Sequence, residues 1–309
     1  MSEDKDRKNI VPSSASKYEI RSVAFIDILG FSGLIGRSAR DKQFFAKLHE
    51  ALRIVEHQGR IWISLSFSSP GESKEKALER MAEMDFRSHV FSDCIILSQR
   101  GTIVAPLFIS VAQLTMALLN LGVLVRGGIA HGLLFHDSSL VFGPALIEAY
   151  HLESRCANFP RILVSHGVCD ASRKEIVYFP SQGTAAVYFL CELLRRDFDR
   201  QYHLDCLTTT LLSPQSVIGA DNSEFLSLLK RTATLILDEF GGTSHNMEIK
   251  AKWGWFLDYF NDFARVRTSH LAESAVKPIM LDDDEMNPAV TWDNLRRAYY
   301  RGGPDISRE

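Results

Sequence analysis

Residues Val23–Phe31 read V-A-F-I-D-I-L-G-F. One carboxylate, Asp27, interrupts an apolar run that otherwise suits a central strand covered on both faces. Gly30 follows three residues later. An ionised Asp inside such a run is costly unless something compensates it. Two kinds of partner would do. The carboxylate can be hydrogen-bonded to backbone or to an Arg, or it can be a metal ligand at a strand end, with Gly30 letting the backbone approach a phosphate.

The chain has 309 residues, 46% hydrophobic and 24% charged, with a formal net charge of -3. That is the composition of an ordinary globular protein with a real core. Its charge leaves no electrostatic footprint for duplex nucleic acid or an anionic membrane. Cys94, Cys156, Cys169, Cys191 and Cys206 are odd in number and scattered, without C-x-x-C spacing, which fits reduced thiols better than a disulfide frame or a zinc site. The charged N-terminus lacks the apolar core of a signal peptide. No apolar stretch reaches the ~18 residues a membrane span requires. The expectation is a soluble, cytoplasmic protein without a membrane span and without nucleic acid as a partner.

Taken in order, residues 1–18 are polar and read as a flexible arm. After the Asp27 strand, Phe44, Phe45, Leu48, Leu52 and Val55 recur at helical spacing and predict a helix over roughly Asp41–Glu56. A short strand is expected at Ile61–Phe67 and a charged helix over Ser68–Glu83. Phe86–Ser98 reads as a hairpin with Ser92-Asp93 at its tip. A nearly uncharged helix over Val104–Leu121 must be well buried, and Gly122 is placed to end it. Then come a strand over Val123–Gly132, a loop at His136–Ser139 and a short strand ending at Phe142-Gly143. A helix from Pro144 to about Cys156 follows, Pro144 suiting its first turn. Strands at Arg161–Ser165 and Ile176–Phe179 close this part. Helices mixed with at least one hairpin define an α+β plan. From about residue 186 the pattern reads as helical, with amphipathic segments at Glu224–Phe240 and Glu248–Val266. The aromatic stripe of the second, Trp253 to Phe263, reads as core packing.

Asp27 at a strand end and Asp93 at a hairpin tip can be neighbours in an antiparallel sheet. Neither local motif carries a counter-charge, so paired carboxylates there would repel unless divalent cations sat between them. Hard oxygen donors favour Mg²⁺ or Mn²⁺.

These residues also carry a family resemblance. F-I-D-I-L-G-F-S (Phe25–Ser32) resembles the F-x-D-I-x-G-F-[ST] signature of class III nucleotide cyclases. F-S-D-C-I (Phe91–Ile95) resembles their second metal motif, and R-G-G-I-A-H-G (Arg126–Gly132) their R-x-G-I-x-x-G strand. F-G-P-A-L-I-E-A (Phe142–Ala149) is similar to the W-G-x-x-V-N-x-A helix start. The four motifs stand in family order and cover residues 20–180. The resemblance implies a ferredoxin-like α+β catalytic domain over 19–185, followed by a C-terminal helical region over 186–309 of no implied role. It implies two Mn²⁺ or Mg²⁺ ions per site, held by Asp27, Asp93 and the Ile28 carbonyl. Backbone amides of Ile28, Leu29, Gly30 and Phe31 would hold the β/γ-phosphates at the following helix N-terminus. The reaction would be attack of the ribose 3′-hydroxyl on the α-phosphorus with release of pyrophosphate. Such sites form across two catalytic domains, so a homodimer is expected.

The departures are informative. The two positions that read the purine edge in the family correspond to His89 and Leu140, and neither purine code is present. Leu140 can make no hydrogen bond, and a site lacking a polar contact loses base discrimination. The Asn and Arg that stabilise the family's transition state fall at Ile147 and His151. Arg155, one helical turn on, is the candidate replacement, while Arg126 reads as structural. The pyrimidine cyclases of bacterial antiphage defence (Pycsar systems) tolerate such losses, and their F-G-P-A-L-x-E-A-Y-x-L-E pattern is similar to Phe142–Glu153. That resemblance implies a nucleoside triphosphate substrate, UTP before CTP, and a cyclic UMP or cyclic CMP product acting on a separate effector. Two alternatives stay open: a purine cyclase with an unusual pocket, and a degenerate cyclase-like domain that binds nucleotide as a regulatory module.

Overall fold

A computed structural model describes residues 17–53, 79, 83–181, 184–212, 222–242 and 247–267. The chain divides into two compact units, Met1–Val217 and Ile218–Glu309.

The stretch around Asp27 is strand β1 (Glu19–Ile28). It lies between β3 (Cys94–Arg100) and β4 (Val125–His136) and is antiparallel to both. Successive side chains of a strand leave opposite faces. Ala24, Ile26 and Ile28 enter the main core with Ile95, Leu97 and Phe108. Val23 and Phe25 join a smaller cluster with Ala130, Leu134, Ala145 and Ala149 on the other face. The two-sided cover expected from the sequence is therefore present. It thins at Asp27, whose side chain keeps 18% of its surface exposed.

The expected hairpin is β2 (Arg87–Phe91) and β3, turning through Ser92 at φ 58°. The sheet runs β2-β3-β1-β4-β6-β10-β9, with β5 (Val141–Phe142) on the far end of β4. Its first four strands, all antiparallel, carry helices between β1 and β2 and between β3 and β4, the order of a split β-α-β motif. Here β6 is Ile162–Val164, parallel to β4; β9 is Leu194–Arg196 and β10 is Tyr202–Leu204. A separate hairpin is formed by β7 (Ile176–Ser181) and β8 (Thr184–Phe189).

The helix expected over Asp41–Glu56 is present as far as residue 53, the rest of that span lying outside the described residues, and a further helix precedes it. α1 (Phe31–Ser38) starts straight after Gly30, and α2 occupies 42–53. Asp41 Oδ1 accepts the amides of Gln43 and Phe44 at 2.9 and 3.0 Å, which fixes the start of α2 where the sequence placed it. The strand expected at 61–67 and most of the helix at 68–83 lie outside the described residues, as does nearly all of the N-terminal arm.

Helix α3 (Ala105–Leu119) carries no charge and is buried along nearly its whole length. Its first amides are satisfied from outside: Glu175 accepts from Val104 at 2.8 Å and from Ala105 at 3.0 Å. Gly122 follows at φ 79°, in the left-handed region that favours glycine after a helix.

Helix α4 (Pro144–His151) is shorter than expected, because Leu152–Cys156 continues as a π-helical turn closed by Ala157 N–H on the Leu152 carbonyl at 2.9 Å. This segment lies almost directly on β4. A Cβ added to Gly128 would stand 2.3 Å from the Ala149 carbonyl oxygen and 2.6 Å from Leu152 Cβ. Position 128 is glycine because the helix backbone occupies the space of a side chain.

Past residue 186 the structure departs from the helical pattern read there. β8, a 3₁₀ turn over Leu190–Leu193, β9 and β10 precede α6 (Cys206–Leu212), and α5 (His166–Ser172) lies between β6 and β7. Strands of three residues carry too few alternations to show a period. The edge pair is tied to β6 by Arg161, whose fully buried guanidinium pairs with Asp197 and Asp199 in the β9–β10 turn.

In the second unit, α7 (Asn222–Gly242) and α8 (Met247–Arg267) pack on each other. Trp253, Trp255, Phe256, Tyr259, Phe260 and Phe263 are all buried, as the aromatic stripe predicted. Among the described residues no helix is long and apolar enough to cross a membrane.

Candidate metal centre

The strand register brings the first acidic residue to its neighbours. Asp27 stands opposite Cys94 on β3 and opposite Arg126 on β4, so the three side chains share one face of the sheet. Asp93 sits in the turn that opens β3, and its carbonyl accepts the Ile28 amide at 2.9 Å, pinning the turn to the end of β1. Ligand atoms of Asp27, Asp93 and Cys94 all lie within 4.8 Å of one another. The two carboxylates that the sequence paired do meet. Cys94, read only as a scattered thiol, meets them. Its signal was its place directly after Asp93 at the strand start.

The donors fit a divalent cation: two carboxylates at the rim of a sheet, with enough exposure for an ion to enter. The Cys94 thiol is pushed up to about 11, by burial first and then by the Asp93 and Asp27 carboxylates. At neutral pH it is an uncharged neighbour of the oxygen donors.

A counter-charge is present, as in the first of the two kinds of partner weighed for Asp27, although neither local motif supplies it. Arg126 Nε donates to Asp27 Oδ2 at 3.0 Å and stands 2.7 Å from Glu153 Oε1. The Arg arrives from β4, across the sheet and far along the chain, which is why local inspection missed it. Glu153 was missed as well. It lies on the π-helical turn with 4% of its surface exposed. Burial is the largest influence on its carboxyl and raises its pKa; Arg126 opposes this, and the Asp27 and Asp93 charges add to it.

The segment expected to bind phosphate has only part of its amides available. The Ile28 amide is spent on Asp93, and the Leu29 amide donates to the Leu124 carbonyl at 2.9 Å. Those two positions, expected to bind phosphate through their N–H groups, instead hold the strand end in place. Gly30 and Phe31 remain at the start of α1. Gly30 has φ 71°, and the helix has neither a side-chain cap nor an acidic residue in its first turn, so its N-terminal partial charge is not offset locally.

The other candidates are not part of this cluster. Arg155 is exposed and makes no ion pair with Asp27 or Asp93 among the described residues. Ile147 is 57% exposed on α4. Leu140 is 58% exposed in the β4–β5 turn, its amide bound to Asp137 Oδ1 at 2.7 Å. His89 stands level with Phe25 through the β2–β3–β1 register, and its Nδ1 lies 3.2 Å from His136 Nε2. The His136 Nδ1 is 2.8 Å from Ser98 Oγ, and its carbonyl accepts from Arg87. A cavity of about 450 Å³ opens here, lined by Lys17, Tyr18, Glu19, Arg87, Phe135 and His136.

His136 is pushed down to about 4 by burial, with Arg21, His89 and Arg87 adding to the effect and Asp85 opposing it. The unfolded chain therefore takes up a proton on this side chain well before the folded one does. Stability is complete above the ordinary His value near 6.5 and is lost as pH falls toward 4. His203 is also lowered to about 4 and acts in the same direction. Thermal melts between pH 7.5 and 4.5 should show a Tm that falls with acid, and His136→Gln should reduce that slope without removing it. An unchanged slope in the variant would assign the acid sensitivity elsewhere.

No family model matches the chain, and no curated protein matches its sequence. Among solved structures, a bacterial light-regulated adenylyl cyclase is similar over 64% of this chain and 58% of that one, with 13% identity and a TM-score of 0.33. The chain thus spans somewhat over half the length of that protein. At this identity and score nothing about activity carries across.

Proposed function

We propose that the chain is a metal-dependent nucleotide cyclase acting on a pyrimidine nucleoside triphosphate, UTP before CTP, to give the 3′,5′-cyclic monophosphate and pyrophosphate. The observation that carries this is the meeting of Asp27 and Asp93 within 4.8 Å beside a free helix start. It is joined by the four ordered motifs of class III cyclases in the sequence. Asp27 and Asp93 would hold Mn²⁺ or Mg²⁺, two ions per site, with the Ile28 carbonyl as a further donor. Such a cation, once bound, supplies charge stabilisation at the phosphates and favours the deprotonated ribose 3′-hydroxyl. The chain's own groups do the rest. Gly30 and Phe31 amides, at the positive end of α1, orient the terminal phosphates. Arg155, which lies exposed outside the carboxylate cluster, would serve as the cation for the α-phosphate. His89 offers a polar base contact, while the apolar Leu140 gives no group for reading a purine edge.

In this proposal a homodimer completes two equivalent sites, and the cyclic product signals to a separate effector in antiphage defence. The catalytic domain is taken as residues 19–185, with the strands and helices after 186 in an unassigned role.

The test is incubation with Mn²⁺ and each of four radiolabelled nucleoside triphosphates. Cyclic product from UTP or CTP is the expected result. Strong turnover of ATP alone would overturn the pyrimidine assignment. A second reading, a nucleotide-binding module without turnover, is favoured by Ile147 and His151 standing where the family carries Asn and Arg. Nucleotide binding with no pyrophosphate released from any substrate would select it.

A further inference from the structure

We infer that Glu153 is the residue that takes Arg126 off Asp27 when a divalent cation binds, so that the pair works as a handover beside the metal centre. This rests on the metal reading of Asp27 and Asp93.

Arg126 Nε carries one hydrogen, and it is aimed at Asp27 Oδ2 at 3.0 Å. Glu153 Oε1 is nearer to the same nitrogen, at 2.7 Å, yet it is buried and has no hydrogen bond among the described residues. Two carboxylates thus contest one N–H, and the buried Oε1 of Glu153 is left unsatisfied. A buried acceptor without a partner is unfavourable in a folded protein. A cation approaching Asp27 meets the opposite problem. One of the two Asp27 oxygens is already committed to a guanidinium whose positive charge repels the ion. A small rotation of Arg126 toward Glu153 answers both: Asp27 is freed for the ion, and Glu153 gains its hydrogen bond.

The backbone is built to hold Glu153 at that spot. The π-helical turn over Leu152–Cys156 offsets this residue from the α-helical phase of α4. Gly128, two residues from Arg126 on β4, lets that turn lie against the strand at less than the width of a methyl group. Turns of this type inside helices recur at functional sites.

The experiment is a double-mutant cycle read by Mn²⁺ alone, with free ion followed by electron paramagnetic resonance. It compares the full chain with Glu153→Gln, Arg126→Gln and the double variant. Glu153→Gln should weaken Mn²⁺ binding by about tenfold, because Arg126 then has Asp27 as its remaining anionic partner. Arg126→Gln should tighten it. In the Arg126→Gln background the Glu153 substitution should change affinity by less than about threefold. Equal losses in both backgrounds would make Glu153 a direct ligand or a simple source of negative charge and would overturn the handover, as would no loss in either. If the unaltered chain bound no Mn²⁺, the cyclase reading would fall with it; binding with an additive cycle removes only the inference. A readout free of folding effects comes from the unaltered chain labelled with ¹⁵N-arginine. The Nε–H signal that is missing in Arg126→Gln should shift on addition of Mg²⁺, and an immobile signal counts against the handover.

Discussion

Asp27→Asn and Asp93→Asn, made singly, are each expected to lower cyclic nucleotide formation in Mn²⁺ by about 10³-fold. A bound cation contributes several kcal/mol of charge stabilisation to phosphoryl chemistry, and ~4 kcal/mol corresponds to that factor in rate. The substitutions keep side-chain shape and remove the charge. In Asp27→Asn the carboxamide oxygen can still accept from Arg126, which also keeps Glu153 as a partner. The fold should therefore survive, with melting temperatures close to that of the parent. Mn²⁺ affinity should fall in parallel with rate. Retention of more than about a tenth of the activity by either variant would show that the two carboxylates do not act as a cation site.

The second large effect concerns stability. Arg161 is a fully buried guanidinium whose counter-charges, Asp197 and Asp199, come from the β9–β10 turn. Replacing both acids with Ala leaves the charge in the interior without compensation, which costs about 3–5 kcal/mol. At ~2–4 °C per kcal/mol for a unit of this size, the melting temperature should drop by roughly 6–20 °C. Arg161→Met in the same background should recover most of the loss, because a dehydrated charge is the source of the penalty. Denaturant melts of the three proteins decide it. A double Ala variant that melts with the parent would mean that water reaches Arg161 freely.

How much of this was legible beforehand follows from the range of each interaction. β1, the β2–β3 hairpin, α3 and the glycine that ends it are written in local periodicity, and their expected places agree with the structure. The Asp27–Asp93 pair was legible because one antiparallel step joins the ends that carry them. An arginine partner for Asp27 was one of the two kinds weighed, but that it is Arg126, and that Glu153 joins it, was not legible. Each enters the site through a tertiary path, one across a strand register and one through a helical turn of unusual pitch, and neither leaves a local pattern. The amides of Ile28 and Leu29 failed as phosphate donors for a related reason, since backbone partners lie across the sheet. The three-residue strands after residue 186 were too short for alternation to show, and their strongest anchor is a buried ion pair rather than an apolar face.

The tight seat of α4 on Gly128 makes the two flanks of that helix unequal as targets for redesign. Ala145 and Ala149 are inward and fully packed, so enlarging either would lift the helix and unseat the turn behind it. Ile147 is about half exposed on the outer flank, where new side chains can be introduced without disturbing the strand below, whereas the neighbouring Tyr150 packs edge-on against Phe25 of β1 and is best kept. Libraries aimed at altering selectivity or assembly of this protein belong on that outer flank.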